Sequence, residues 1–262
     1  MNINNSFSSA RQLDQAQTSK NTQLQRISSG HRINSAKDDA AGLAISTRFE
    51  SQGRSQQAAL RNSLDGVSRT QVESGALASV TEDLQRIREL KVQQGSGVLN
   101  DQDKAAIQSE IDQRSENISQ IFSDTEFNQQ SVFQEGSLSF QTGANEGETI
   151  ELTTEDLAQT FQGLGFEPGQ DLNMDQIDEA LLNVTSRQNE LGAVENRLVA
   201  NTEFLALKNE NNQAANSRIQ DADIAKAASE SVKSDILSQI AISVQSQANV
   251  SSKNVLNLLE SK

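Results

Sequence analysis

The chain has 262 residues, 34% of them hydrophobic and 3% aromatic, with one Pro, no Trp or Tyr, and a formal charge of −14. Burying an aromatic ring contributes several times what an alanine does, so this composition excludes a thick globular core and favours long, thin aliphatic seams. The absence of Cys excludes disulfides, thiolate zinc sites and thiol nucleophiles, and an acidic chain without a basic, aromatic-bearing surface is a poor nucleic-acid binder.

In residues 1–36 Phe7, Ala10, Leu13, Leu24 and Ile27 form a thin apolar row at helical spacing, which Lys20 interrupts. Residues 1–7 lack a charged lead, an apolar core and a small-residue cleavage site, so export would have to leave the N-terminus uncleaved. After the polar break Ser28-Ser29-Gly30, a new helix is expected near Asp38 and Asp39, either of which suits a helix start. Gly42 and its flanking alanines permit close backbone approach. Leu77, Val80, Leu84 and Ile87 follow a 3-4-3 spacing, a coiled-coil-like seam, which the Gly95-Ser96-Gly97 and Asn100-Asp101 cluster ends. Ile107, Ile111, Ile118, Ile121 and Thr125, with Arg114 in the skipped place, predict a second, antiparallel helix.

From residue 138 to 152 the period changes to two. Leu138 and Phe140, then Ile150 and Leu152 beyond Gly143-Ala144-Asn145-Glu146-Gly147, predict a β-hairpin. A Gly- and Pro-containing stretch lies between Phe161 and Gly169. Helix returns with Ile177, Leu181, Val184, Leu191, Val194, Leu198 and Leu205, with Gln188 in one seam position. A helix of about 36 residues would span roughly 54 Å. In residues 218–262 Ile236, Ile240, Val244 and Ala248 recur every four residues, widened by Leu237 and Ala241. Such a row must be buried, most cheaply against the N-terminal helix and next against other copies of the chain. The fold class is therefore mainly α: an elongated helical bundle or coiled coil of the chain termini and a rod, with one small β-hairpin region. Its segments are 1–42 (N-terminal helix and linker), 43–172 (first half of the rod with the hairpin), 173–217 (returning rod helix) and 218–262 (C-terminal helix).

Charge is unevenly placed. Residues 1–62 carry eight Lys/Arg against four Asp/Glu, whereas residues 135–195 carry 13 acidic residues against Arg187 alone. An acidic middle facing solvent and basic ends meeting partners would account for it, as would ordinary solvated surface. No stretch approaches the roughly 20 apolar residues of a bilayer span, so no membrane insertion is expected. His31, the only histidine, sits in an Arg- and Ser-rich turn and reads as structural. The pairs Asp101/Asp103 and Asp221/Asp223 resemble metal ligands but precede helices, where carboxylates cap. The triplets beginning at Asn4, Asn117, Asn183 and Asn249 read as chance glycosylation matches. No phosphate-cradling loop is present, and neither a catalytic residue nor a cofactor is expected.

Several segments, in order along the chain, resemble bacterial flagellin: Ile27-Ser28-Ser29-Gly30, Arg32 through Ile45, Arg61-Asn62-Ser63-Leu64-Asp65-Gly66-Val67, Gln141-Thr142-Gly143-Ala144-Asn145, Leu191-Gly192-Ala193-Val194-Glu195-Asn196-Arg197-Leu198 and Arg218-Ile219-Gln220-Asp221-Ala222-Asp223. The resemblance implies a short form without large outer domains, self-assembling into an extracellular flagellar filament for swimming motility. Leu13, Leu24, Ile27, Ile236, Ile240 and Val244 would then pack between subunits. It also implies an export apparatus, an export chaperone, filament-cap and hook-junction proteins as partners, and Toll-like receptor 5 as a receptor for the monomer through Arg86, Leu90 and Glu110. Lys20, Gln245, the bulky Ile240-Ala241-Ile242 and Ser251-Ser252 depart from the family's pattern in the terminal helices, which bears on whether the chain is a major or a minor subunit. A hook–filament junction protein of the same superfamily and a non-polymerising helical adaptor are the alternatives. Too little apolar area offsets the roughly 1–2 kcal/mol per residue of ordering the ends, so they are expected to fold on assembly.

Overall fold

The computed structural model describes the backbone of residues 3–260 and the side chains of residues 10–251, 253 and 254. Phe7, Asn4 and Ser252 therefore lie outside the described side chains. Contacts divide the chain into two units, one holding the segments up to Ser51 and from Asn211, the other Gln52–Glu210. No helix among the described residues is long and apolar enough to cross a membrane.

The terminal unit is built on α1 (Ile3–Ser29) and α6 (Ile224–Glu260), which pack along each other. Gly30 ends α1 in the left-handed region, with φ 73°, a conformation that glycine adopts without a Cβ penalty. Asp38 does not cap; its carboxylate accepts from the Asn34 and Ser35 amides, tightening the turn. Asp39 is the cap of α2 (Ala40–Gln94), accepting from the Gly42 amide at 2.8 Å. A Cβ on Gly42 would stand 2.7 Å from Ile33 Cδ1, so glycine there makes room for a fully buried isoleucine. The α1–α2 linker is tied to the end of α5 (Met174–Gln220): the Arg32 amide donates to Gln220 O at 2.6 Å, and the Ala222 amide to Gly30 O at 2.9 Å. Asp223 then caps α6 through the Lys226 amide.

In the second unit α2 and α5 run antiparallel, as the pairs Arg88–Asp178, Glu73–Arg187 and Gln71–Glu195 require. Both helices are longer than expected, 55 and 47 residues, or about 80 and 70 Å, because no Pro interrupts them. Leu77, Val80, Leu84 and Ile87 are wholly buried, as their spacing predicts. The third helix, α3 (Asp101–Asp124), begins with a capping box in which Asn100 accepts from the Asp103 amide and Asp103 from the Asn100 amide. Asn100, not Asp101, is thus the cap. Its seam also shifts by one position. Ser115 and Phe122 are buried beside Ile107, Ile111 and Ile118, whereas Ile121 is only partly buried and Thr125 caps the C-terminus. Arg114 lies off the seam, paired with Asp83 at 2.7 Å.

The predicted hairpin is present. Strands β3 (Gly136–Gln141) and β4 (Thr149–Thr154) pair with Leu138 opposite Leu152 and Phe140 opposite Ile150. Ahead of it, β1 (Glu126–Phe127) and β2 (Gln130–Ser131) join through Asn128 and Gln129, both at positive φ, a turn whose twist matches the strands. The Gly- and Pro-containing stretch, to which the sequence assigns no element, has local structure. It carries a short helix, α4 (Leu157–Gly163), then a turn closed by the Gln170 amide on Glu167 O between buried Phe166 and Leu172. Here the core is not a thin aliphatic seam. Phe122 meets Phe133 and Phe161 edge-on at 5.0 and 4.9 Å, and Phe161 meets Phe166 at 5.1 Å, concentrating four of the nine Phe in one cluster.

Candidate functional site

The bulky aliphatic row of α6 is not the seam against α1. That seam is made of small and polar side chains: Ala16 and Gln23 from α1, and Ala227, Ser231, Ser234, Ser238 and Ala241 from α6 are buried. Their 4-3-4-3 spacing on α6 is the heptad pattern of a helix pair, and this run of small residues is the signal that bulk-weighted reading passes over. Across it Lys20 Nζ donates to Asp235 Oδ1 at 2.6 Å, Gln23 Nε2 to Glu230 Oε2 at 2.9 Å, and Ser234 Oγ to Ser19 Oγ at 3.2 Å. Lys20 is thus not a defect in an apolar row. It is one half of a polar pair.

With small residues turned inward, the large ones face out. Ile236, Ile240 and Val244 are each just over half exposed and Leu24 nearly half, while Leu13 and Ile27 are partly buried. Val232, Leu237 and Ile242 extend the exposed apolar surface of α6. Next to it Leu237, Ile240 and Val244 form one wall of an open groove of about 540 Å³, with Gln12, Gln15 and Ser19 of α1 on the other. A contiguous exposed apolar row of this kind is a candidate interaction surface.

The structure brings two of the three receptor candidates together. Arg86 Nε lies 3.2 Å from Glu110 Oε1, and Arg86 Nη1 3.0 Å from Glu89 Oε2. Hydrogen bonds to Glu89 and then Glu110 hold the guanidinium even more firmly protonated than usual. Leu90, one turn along the same helix, is 2% exposed, packed in the core, and offers a partner no surface.

One constellation that the spacing did not reveal lies in the second unit. Arg187, not Gln188, occupies the seam of α5. Its Nε donates to Glu73 Oε1 at 2.7 Å, its Nη1 to the Thr153 carbonyl of β4 at 2.7 Å and to Glu190 Oε2 at 3.2 Å. Arg69, Glu73 and Arg187 are 4%, 1% and 2% exposed. Burial pushes the Glu73 carboxyl up from its usual range, opposed mainly by Arg187. Isolated charged letters in a helical sequence read as surface, so only the apolar residues one turn away on either side hinted at burial. His31 joins the linker ties: it forms a β-bridge with Asp221, and its Nδ1 stands 3.5 Å from that carboxylate.

Family comparison matches this architecture over both halves. Residues 2–137 match the bacterial flagellin N-terminal helical region and residues 174–259 the bacterial flagellin C-terminal helical region. The chain is 42% identical over 245 residues to a flagellin of Halalkalibacterium halodurans, covering 90% of each, and 36% identical to a flagellin of Bacillus subtilis, covering 90% of this chain and 91% of that one. In fold it is similar to the crystal structure of Bacillus cereus flagellin, with a TM-score of 0.50 and 23% identity over 55% of this chain and 88% of that one. Two matched terminal regions, and relatives of nearly the same length, place the chain in the bacterial flagellin family.

Proposed function

We propose that this chain is a structural, non-enzymatic subunit that assembles with copies of itself into the extracellular flagellar filament that drives swimming. The observation that carries this reading is the inversion of α6, which buries small residues against α1 and leaves Ile236, Ile240 and Val244 outward. A helix pair sealed by serines and alanines gains little from the hydrophobic effect at roughly 25 cal/mol per Å², so the pair needs neighbours, and identical copies supply them. Each added copy completes the seams of others, and mass action makes association cooperative. Before assembly the ends order incompletely, and small register shifts between rows of copies give the polymer its supercoil. The chain reaches the filament through the flagellar export apparatus with its chaperone, and meets cap and hook-junction proteins there. Seeding the purified chain with filament fragments tests the reading by sedimentation and electron microscopy. Growth of the seeds is expected; a chain that stays monomeric at every concentration overturns it.

Recognition of the monomer by Toll-like receptor 5 would rest on the exposed Arg86–Glu110 pair with Glu89 beside it, and not on Leu90 directly. Monomer is expected to bind the receptor and assembled filament to bind far more weakly; equal binding by both forms would remove the idea.

A further inference from the structure

We infer that the buried cluster of Arg69, Glu73 and Arg187 is a register key, which permits α2 and α5 to pair at one axial position only and fixes strand β4 to that position. The three groups lie within seams that are otherwise apolar: Arg187 falls between Val184 and Leu191 on α5, and Glu73 is followed one turn later by Leu77 on α2. Apolar residues of similar volume would bury there without desolvating charge, so the cluster is a poor source of stability. Its satisfaction is also incomplete. Glu73 Oε2, Arg69 Nε and Arg187 Nη2 make no hydrogen bond, though Nη2 stays 2.7 Å from Glu73 Oε1.

What the arrangement does supply is discrimination between neighbouring registers. The helices are antiparallel, so a slip of one turn in one direction sets Arg187 against Leu77 and Glu73 against Leu191, stranding two buried charges among aliphatic carbons. A slip in the other direction sets Arg187 against Arg69, a buried like-charge contact, and Glu73 near Val184. Arg69 thus guards the one direction that apolar residues do not. Its charge is felt by both partners, attractively by Glu73 and repulsively by Arg187. The seam's other residues do not discriminate so sharply, because leucine, valine and isoleucine exchange places at modest cost. Through Arg187 Nη1 on the Thr153 carbonyl, the same key positions the hairpin. Its value for assembly rests on the filament reading. Subunit surfaces that combine α2 residues such as Leu64 and Val72 with α5 residues such as Leu182 and Val199, all exposed, match between copies only if every copy adopts one register.

The absence of native Cys gives a clean test on the full, unassembled chain, independent of whether it polymerises. Ser63 Oγ and Asn201 Nδ2 are 3.2 Å apart, so Ser63→Cys with Asn201→Cys reports the native register by cross-linking with a short reagent that bridges two thiols. Ala59→Cys with Asn201→Cys and Val67→Cys with Asn201→Cys report the two slipped ones. With the cluster intact only the first pair is expected to cross-link. Arg69→Glu gives Arg187 a partner one turn away, and should raise the 59–201 cross-link about ten-fold while leaving 67–201 unchanged. Replacing all three (Arg69→Leu, Glu73→Leu, Arg187→Met) should keep the helical circular dichroism and an unfolding midpoint no lower than before, yet produce both slipped products. An Arg69→Glu protein that forms only the native cross-link, or both slipped ones equally, overturns the inference. So does a triple variant that stays in a single register or fails to fold.

Discussion

The terminal unit and the unit holding the hairpin solve the helix-packing problem in opposite ways. In the latter, bulky side chains point inward: Leu77, Leu84, Ile111, Ile118 and Leu191 are essentially inaccessible, and four Phe pack together. In the former, serine and alanine point inward and isoleucine and valine outward. The difference teaches that the same heptad pattern serves two destinations. A seam filled with large apolar groups is finished within the chain; one filled with small and hydroxyl groups saves its large groups for something outside.

Exchanging the destinations is the most forceful way to break this contrast. Ile236→Asp with Ile240→Asp should abolish seeded polymerisation while leaving the monomer's melting temperature unchanged, because neither side chain is buried in the single chain; a monomer that unfolds instead would put both residues in an internal core. Leu84→Ala should do the reverse. It is expected to lower monomer stability by about 2–5 kcal/mol in denaturant titration through the cavity it leaves. Gly66→Ala sharpens the comparison at a tight contact. The added Cβ would stand 3.0 Å from Leu198 Cδ1 and 3.3 Å from the Phe140 ring, so a loss of about 1–3 kcal/mol is expected from overpacking where helix, helix and hairpin meet. Lys20→Ala, by contrast, should cost the monomer under about 1 kcal/mol, as partly exposed ion pairs do.

The smallest effect concerns pH. The Glu148 carboxylate accepts from the Asn145 side chain at 2.8 Å and from its amide at 3.1 Å, and these bonds hold it below the usual carboxylate range. A depressed folded-state value means that its contribution is present above the ordinary carboxylate range and is lost as pH falls through the folded value. Protection of the hairpin-loop amides, corrected for the intrinsic pH dependence of exchange, should therefore fall in acid, and Glu148→Gln should remove that loss of protection. An unchanged acid response in Glu148→Gln would assign it to another group.

Much of this was legible in the sequence. Period two found the hairpin, because alternation puts Leu138, Phe140, Ile150 and Leu152 on one face; the register that sets Leu138 opposite Leu152 came from the structure. The 3-4-3 run from Leu77 to Ile87 fixed the buried face of α2. Reading failed where burial and hydrophobicity part company. Ser231, Ser234 and Ser238 are buried because two helices approach closely, and Arg187 is buried because a carboxylate and a backbone carbonyl meet it, neither of which its own letter discloses. The Phe cluster was missed for a third reason: Phe122, Phe133, Phe161 and Phe166 are far apart in sequence and share no period. Adjacency says little about exposure at Leu90, which is buried although Arg86, one turn away, is exposed.

The turn between Phe166 and Leu172 carries a practical consequence. Its feet are anchored by two buried side chains, while Glu167, Pro168, Gly169 and Gln170 are exposed, with Gly169 at φ 86°. A foreign peptide spliced between Pro168 and Gly169 would leave both anchors seated. Carried by a polymer, such an insert would be displayed once per copy in a dense, regular array, making this short loop the natural place to load an antigen or an enzyme onto the fibre.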